Sequence, residues 1–194
     1  MKVLVACEFS GVVRNAFRSK GHDAWSCDLL EPMDSSSFHI KGNVLDILHD
    51  GWDLMIAHPP CTYLCNSGSK HLYLGGKKEN GPDPTRWQKM YEAESFFNEM
   101  LNAPIEKICV ENPVPFGYAS IRRYDQKVQP WMFGHPEKKG TCFWLKNLDH
   151  LQPTKLLKPP YEARVANEAP GPDRWMRRSI TYQGIADAMA EQWG

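Results

Sequence analysis

The sequence predicts an α/β fold of the Rossmann-like type, in which helices cover both faces of a mainly parallel sheet. The chain opens with a strand, a glycine turn, a helix and a second strand with a terminal acid, the order of a nucleotide-binding βαβ unit. Two later apolar runs of strand length each stop near proline, which cannot continue a central strand. With 194 residues the chain is long enough for a real core, and we expect residues 1–194 to form one domain.

The opening βαβ unit is predicted from a compact apolar strand over Lys2–Ala6, a turn over 7–11 and a helix over 12–20. A second strand over 22–27 follows and has Asp28 at its tip. The amino end of such a helix favours polar or anionic ligand groups, and an acid at the tip suits ribose hydroxyls. A single glycine is a weak signal, because a plain α/β turn would use it too.

The later elements follow from hydrophobic periodicity and from breaks at glycine and proline. They are a short strand within 39–48 that ends near Asp46-Ile47, strands over 53–57, 107–111 and 141–145, and helices over 85–101 and 182–193. The segments between them are predicted to be loops, over 67–84, 114–140 and 150–174. We expect residues 114–178 to form a small irregular region.

The composition limits the classes of function. The 23 basic and 23 acidic residues balance, which argues against binding of nucleic acid by bulk charge but allows a local basic face. No apolar run approaches the roughly 20 residues of a membrane span. The first residues form a strand-like run too short for a signal peptide, and the six cysteines lie in strand-like segments typical of reduced proteins. We therefore expect a cytoplasmic protein, of a bacterium or of a phage-infected cell.

The stretch DLMIAHPPCTYLCNSG, residues 53–68, carries the strongest chemical signal. Its apolar strand runs into Pro59-Pro60, so Cys61 sits just past the carboxyl end of that strand. The strand over 107–111 ends in the same way, with Glu111-Asn112 before proline. Ligands of open α/β sheets bind at the carboxyl ends of the strands. The sequence therefore predicts that Cys61 and Glu111 face a common pocket.

Several motifs occur together and in one order along the chain. They are Phe9-Ser10-Gly11, Asp28, Asp46-Ile47, Pro59-Pro60-Cys61, Glu111-Asn112, the segment FGHPEKK over 133–139 and the segment SITYQGIADAMA over 179–190. With these motifs the chain resembles the DNA (cytosine-5) methyltransferases, in a compact form like those found in phage genomes. The chain departs from the family pattern at Val12-Val13, where further glycines are usual, and at Glu137 and the two following lysines, where Gln and arginines are usual.

The resemblance implies a class I methyltransferase fold with S-adenosylmethionine as the cofactor. The residues implied to hold it are Phe9, Ser10, Gly11, Asp28, Leu29, Asp46, Ile47 and Pro59. The implied partner is DNA, with the target cytosine flipped out of the duplex or already unpaired. The resemblance implies that the irregular region over 114–178, together with residues 62–84, would serve as the recognition region. Residues implied to bind the DNA are Pro60, Asn112, Arg122, Arg123 and Lys138, the basic ones through phosphate.

The resemblance also assigns the chemistry to Cys61, Glu111 and Lys139. Cytosine C5 is a poor nucleophile, and a thiolate added to C6 makes it able to take a methyl group. Cys61 is expected to add, its thiolate favoured by a polar or cationic site. Glu111, with a pKa raised by burial, is expected to donate a proton to N3 and to bind the exocyclic amine. Cys65 has no role in this scheme and is expected to be inert.

Alternative functions stay open at this stage. The substrate could be a free or RNA-borne pyrimidine, because the neutral charge and small recognition region leave DNA unproved. A zinc protein is a different class, in which His58, Cys61, Cys65 and His71 would be ligands. The spacing Cys-x-x-x-Cys and the lack of a His-x-Glu motif argue against a zinc deaminase, and no metal is expected. A third class is a nucleic-acid-binding protein that kept the fold without turnover.

Overall fold

The computed structural model describes all 194 residues and contains one sheet of seven strands. The strands are β1 (Lys2–Ala6), β2 (Asp23–Asp28), β3 (His39–Lys41), β4 (Leu54–Ala57), β5 (Lys107–Pro113), β6 (Gln126–Val128) and β7 (Thr141–Lys146). Their spatial order is β3-β2-β1-β4-β5-β7-β6. The first five of these positions pair in parallel, and β7 runs antiparallel to both of its neighbours. The predicted mainly parallel sheet is therefore confirmed.

Helices lie on both faces of the sheet, as predicted. They are α1 (Val12–Ser19), α2 (Pro84–Leu101), α3 (Arg164–Asn167), α4 (Arg174–Ser179) and α5 (Gln183–Trp193). The apolar sides of α1 and α5 pack on one face, against Val3, Val5 and Ile56. The carboxyl-terminal half of α2 packs on the other face, where Phe97 meets Trp144 at 4.9 Å between ring centroids. Central strands buried on both faces explain the continuous apolar runs of β1 and β4.

The strand register brings the carboxyl ends of β1, β4 and β5 to one edge. Ala6 pairs with Ala57, and Ala57 pairs with Val110. The residues that follow these positions, Cys7, His58 and Glu111, therefore lie side by side along that edge. This alignment places the chemically distinctive residues of three separate motifs together.

Several predicted boundaries are wrong. The short strand does not reach Asp46-Ile47, because β3 ends at Lys41 and these two residues lie in a 3-10 turn over Val44–Ile47. The segment over 67–84 contains 3-10 turns over Asn66–Leu72, Leu74–Gly76 and Lys78–Asn80. The region over 114–140, predicted to be irregular, contributes β6 and a 3-10 turn over Pro130–Met132. Helices α3 and α4 also fall in or beside a segment predicted to be loop. None of the helices has the length and apolar character needed to cross a bilayer.

Candidate active site

A cleft opens at the edge where β1, β4 and β5 end. Its walls come from the turn after β1, the Pro-Pro turn after β4, the end of β5, Lys139 and the segment before α5. The lining residues are Cys7, Glu8, Phe9, Ser10, His58, Pro59, Pro60, Cys61, Glu111, Asn112, Pro113, Lys139, Arg178, Ser179, Ile180 and Thr181. Cys61 and Glu111 thus share one cleft. The structure therefore has the two residues facing a common pocket, as predicted.

A buried hydrogen bond fixes the Pro-Pro turn against the end of β5. Asn112 Nδ2 donates to the carbonyl oxygen of Pro59 at 2.9 Å, while the Asn112 Oδ1 atom is buried without a partner. The backbone N–H of His58 donates to the Ala6 carbonyl oxygen at 2.9 Å, which extends the sheet pairing past β4. These bonds hold the backbone on both sides of Pro59. Cys61 therefore follows a turn whose direction is set by two neighbouring strands.

Cys61 and Cys65 lie one backbone turn apart, since the Cys65 N–H donates to the Cys61 carbonyl oxygen at 2.9 Å. A hydrogen bond with Cys65, burial, and the negative charges of Cys65 and Glu111 raise the pKa of the Cys61 thiol, against a smaller opposing effect of Lys139. The Cys61 thiol, the Ser67 hydroxyl and the backbone N–H groups of Ser67 and Gly68 lower the pKa of Cys65. In the free protein the neutral thiol is therefore favoured on Cys61, against the expectation of a ready thiolate there. The expectation that Cys65 is inert stays a prediction.

Glu111 is paired with His58, whose Nδ1 atom lies 3.0 Å from Glu111 Oε2. Burial favours the neutral carboxyl, but the hydrogen bond and charge of His58 and the charge of Lys139 outweigh it and lower the pKa of Glu111. The expectation of a raised pKa was wrong, because it did not take into account the pairing of this carboxyl with His58. Lys139 Nζ itself donates to the carbonyl oxygens of Arg178 and Ile180, at 3.0 and 3.4 Å.

The turn after β1 is conformationally strained and internally capped. Cys7 has a φ of +58°, which is rare for a residue other than glycine, and Gly11 has a φ of +75° at the amino end of α1. The Glu8 carboxylate accepts hydrogen bonds from the backbone N–H groups of Val13 and Arg14, at 2.7 and 3.2 Å. The amino end of α1 is therefore already satisfied by a carboxylate. Of the polar or anionic ligand groups expected there, an anionic one would meet the Glu8 carboxylate.

Solved structures give matches to this arrangement of strands and helices. A prophage-encoded E. coli protein, described as a DNA modification methyltransferase, has a TM-score of 0.50 and 17% identity, over 79% of this chain and 51% of that one. The fold is that of the methyltransferases. The Entamoeba histolytica methyltransferase EhMeth has a TM-score of 0.48 and 18% identity, over 80% of this chain and 57% of that one. The S. pombe Dnmt2 methyltransferase has a TM-score of 0.40 and 14% identity, over 87% and 56%.

The chain spans slightly more than half the length of each of these three structures. Neither the family models nor the curated protein sequences give a match. The similarity to the E. coli structure shows the fold alone, which is the Rossmann-like α/β methyltransferase fold predicted from the sequence.

Within this methyltransferase fold the predicted cofactor residues divide into two groups. Phe9, Ser10 and Pro59 line the cleft, and Gly11 is the residue after Ser10. Asp28 and Leu29 lie at the end of β2 instead, where Asp28 Oδ1 accepts from the backbone N–H of Leu30 at 3.0 Å and Leu29 is 71% exposed. Asp46 and Ile47 lie in the 3-10 turn after β3. These four residues are beyond the cleft lining, farther along the strand order from β1.

The residues predicted to contact nucleic acid also fall into two groups, one at the cleft and one away from it. Pro60 and Asn112 line the cleft, and Lys138 is exposed beside Lys139. Arg122 instead makes two hydrogen bonds to Asp125, at 2.8 and 2.7 Å, and one to the Leu145 carbonyl oxygen. Since Leu145 lies near the end of β7 that is far from the cleft, the structure does not bring Arg122 or its neighbour Arg123 to the active site.

Two features of the site were missed at the sequence level. His58 was considered only as a zinc ligand, although its position next to the Pro-Pro turn placed it at the edge that holds Glu111. Glu8 precedes the glycine turn, and its capping role has no sequence signature of its own. The resemblance of residues 179–190 to a closing segment implies a return to the cofactor pocket, and residues 178–181 do line the cleft. His58, Cys61, Cys65 and His71 do not form a group of three or more potential metal ligands.

Proposed function

We propose that this protein transfers a methyl group from S-adenosylmethionine to C5 of cytosine in DNA, through a covalent bond between Cys61 and C6. The observation that carries the proposal is the shared cleft of Cys61, Glu111 and Lys139, next to the glycine turn of a methyltransferase fold. Fold alone does not specify a reaction, but a thiol, a carboxyl and a lysine in one cleft match what addition to a pyrimidine needs.

The turn after β1 suits S-adenosylmethionine better than a nucleotide phosphate. Glu8 already occupies the N–H groups of α1, so a phosphate would meet a carboxylate there. A cofactor with a sulfonium and no phosphate avoids this repulsion. Phe9, Ser10 and Gly11 would hold it from the turn, and Asp28 and Asp46 would extend the site across the ends of β2 and β3. When bound, the cofactor supplies an electrophilic methyl group.

The protein side of the reaction follows from three groups. As the Sγ–C6 bond of Cys61 forms, the C5–C6 electron pair shifts to C4–C5 and the C4–N3 pair moves to N3. N3 takes a proton held on Glu111, which therefore must be protonated in the complex although the free protein favours the carboxylate. Once C5 carries the methyl group, the C5 proton passes to solvent, its bonding pair forms the C5–C6 double bond, and Cys61 leaves as a thiolate. N3 then returns its proton to Glu111.

A basic surface beside Cys61 supports a nucleic acid as the substrate. We define this basic surface as Lys70, Lys77, Lys78, Arg86 and Lys89; none of these side chains forms a salt bridge. Arg86 donates to the Thr62 carbonyl oxygen at 2.7 Å and lies over the Tyr63 ring. The surface is thereby joined to the residues that directly follow Cys61. Clustered unpaired lysines and arginines favour phosphate backbones even when net charge is zero.

The test is methyl transfer from radiolabelled S-adenosylmethionine to DNA, RNA and dCMP in parallel. We expect label in DNA, and we expect Cys61→Ser to abolish transfer while cofactor binding stays within 3-fold (about 0.7 kcal/mol) of the wild type. Cys142→Ala is the matched control, because this thiol lies in the core and away from the cleft lining. DNA that contains 5-fluorocytosine should trap the protein covalently, since the fluorine cannot leave C5. Full activity of Cys61→Ser would disprove the covalent route, and label only in RNA or dCMP would reassign the substrate.

A further inference from the structure

His58 and Glu111 form a hydrogen-bonded pair of side chains in the cleft. Their side chains are only 11% and 16% exposed, and the Nδ1 to Oε2 distance is 3.0 Å. The two residues come from neighbouring strands, His58 from the position after β4 and Glu111 from within β5. Because the β4–β5 register is fixed by four consecutive pairs up to Ala57 and Val110, the pairing is built into the sheet.

The hydrogen bond of the pair involves one of the two polar atoms of each side chain. Oε2 of Glu111 accepts the His58 bond, whereas Oε1 has no hydrogen-bond partner and is not among the fully buried unpaired atoms. Oε1 is therefore the oxygen left free for a ligand in the cleft. On the histidine, Nε2 is fully buried and has no partner.

Other charged and titratable groups surround this pair on every packed element. They are Cys7 and Glu8 after β1, Cys61 after β4, Cys109 on β5, Lys139 before β7, Arg178 on α4 and Tyr182 before α5. Burial raises the pKa of Cys7 and of Cys109, so these thiols stay neutral. Lys139 shares its donors with two carbonyl oxygens, so His58 is the group that is hydrogen-bonded to the carboxyl itself.

We propose that His58 is a positioning residue that directs the proton of Glu111 onto Oε1, where it meets N3 of the pyrimidine. The inference rests on the function proposed above. An Nδ1–H that is donated to Oε2 blocks protonation of that oxygen, so the carboxyl proton must sit on Oε1. As Cys61 adds to C6 this proton moves from Oε1 to N3, and it returns when Cys61 leaves; His58 keeps its own proton throughout.

Two variants separate hydrogen bonding from packing. His58→Gln keeps an N–H donor, and we expect kcat for methyl transfer within about 5-fold of the wild type. His58→Leu removes the donor, and we expect kcat to fall about 100-fold, the lower end of general acid–base effects, with KM for DNA changed less than 3-fold. Without His58 only the charge of Lys139 opposes the effect of burial, so the pKa of Glu111 rises. The alkaline limb of the kcat profile, where the Glu111 proton is lost, should therefore move to higher pH in His58→Leu.

A result in which His58→Leu keeps kcat within 3-fold of the wild type and the same alkaline limb would overturn the inference. Equal losses in His58→Gln and His58→Leu would overturn it as well, because they would assign the effect to ring packing. Both variants should bind S-adenosylmethionine as the wild type does, which checks that they fold.

A second measurement is independent of turnover. Proton and ¹⁵N NMR of the ring should show a downfield Nδ1–H resonance for His58 that is absent in His58→Leu and moves upfield in Glu111→Gln. Absence of that resonance in the wild type contradicts the pairing even if DNA is methylated. Its presence together with no methyl transfer to any substrate would instead refute the proposed reaction and leave the His58–Glu111 bond established.

Discussion

At the scale of single residues, the chemistry of the site depends on how neighbouring side chains shift one another's pKa values. The neighbouring Cys65, burial and the Glu111 carboxylate raise the pKa of the Cys61 thiol, whereas the pKa of Cys65 is lowered. One local cause is the Ser67 hydroxyl, which lies 3.1 Å from the Cys65 sulfur in the 3-10 turn that begins at Asn66. In the free protein the proposed nucleophile is therefore favoured as a neutral thiol.

This difference in pKa predicts the order of alkylation. At pH 7, iodoacetamide should modify Cys65 before Cys61, because the thiolate is the reactive form and Cys65 has the lowered pKa. Peptide mass mapping after short exposures gives the order. Ser67→Ala removes the hydroxyl that lies 3.1 Å from the Cys65 sulfur and should slow modification of Cys65. Faster labelling of Cys61 in the wild type would show that the charge lies on the other thiol.

At the scale of elements, sequence patterns predicted the strands and helices whose positions are determined by burial of apolar side chains. The strands β1, β4 and β5 are apolar on both faces, and α5 has a clear apolar side, so their positions could be predicted. Strand β6 has only three residues, Gln126–Val128, too short for a period-2 pattern, and it forms because β7 offers it an edge. Asp46 was placed at a strand end, but Asn43 accepts from the Leu45 N–H and starts a 3-10 turn there.

In the candidate site, too, some features could be predicted from the sequence and others could not. The positions of Cys61 and Glu111 follow from strand ends, which sequence can locate, so their convergence was predictable. The pKa of Glu111 was not, because it depends on the rotamers of His58 and Lys139 and on their distance across strands. The capping carboxylate of Glu8 was missed for a similar reason, since only the folded turn turns it back onto α1.

The hydrogen bond between the end of β5 and the Pro-Pro turn after β4 leads to a prediction about stability. Asn112→Ala removes the only side-chain donor to the Pro59 carbonyl oxygen in a buried site, which should lower the free energy of unfolding by about 1–3 kcal/mol. Urea unfolding followed by circular dichroism measures it. Asn102→Ala is the matched control, because it removes a comparable amide-to-carbonyl bond of 2.7 Å at an exposed helix end and should cost about 0.5 kcal/mol or less. Equal losses in the two variants would show that the Pro59 bond is not a stabilising join.

At the scale of the whole molecule, neutrality conceals an uneven distribution of charge. The totals of 23 basic and 23 acidic residues cancel, yet the basic surface of Lys70, Lys77, Lys78, Arg86 and Lys89 has no paired carboxylate. Arg122, by contrast, is neutralised by Asp125 at the far end of β7. A nucleic acid that approaches Cys61 would therefore meet its phosphates on the segment after the Pro-Pro turn, and the sheet edge would be left free for the base.

This distribution predicts which charges govern binding. The double variant Lys77→Glu, Lys78→Glu should weaken DNA binding at least 10-fold at 0.1 M salt and should reduce the slope of log K against log salt by about 2. Arg123→Glu changes an exposed charge away from the cleft and should leave both quantities within error, which makes it the matched control. Fluorescence anisotropy with a labelled duplex measures them. If Arg123→Glu weakens binding and the double lysine variant does not, the DNA lies across the far end of β7, and the basic surface beside Cys61 has another use.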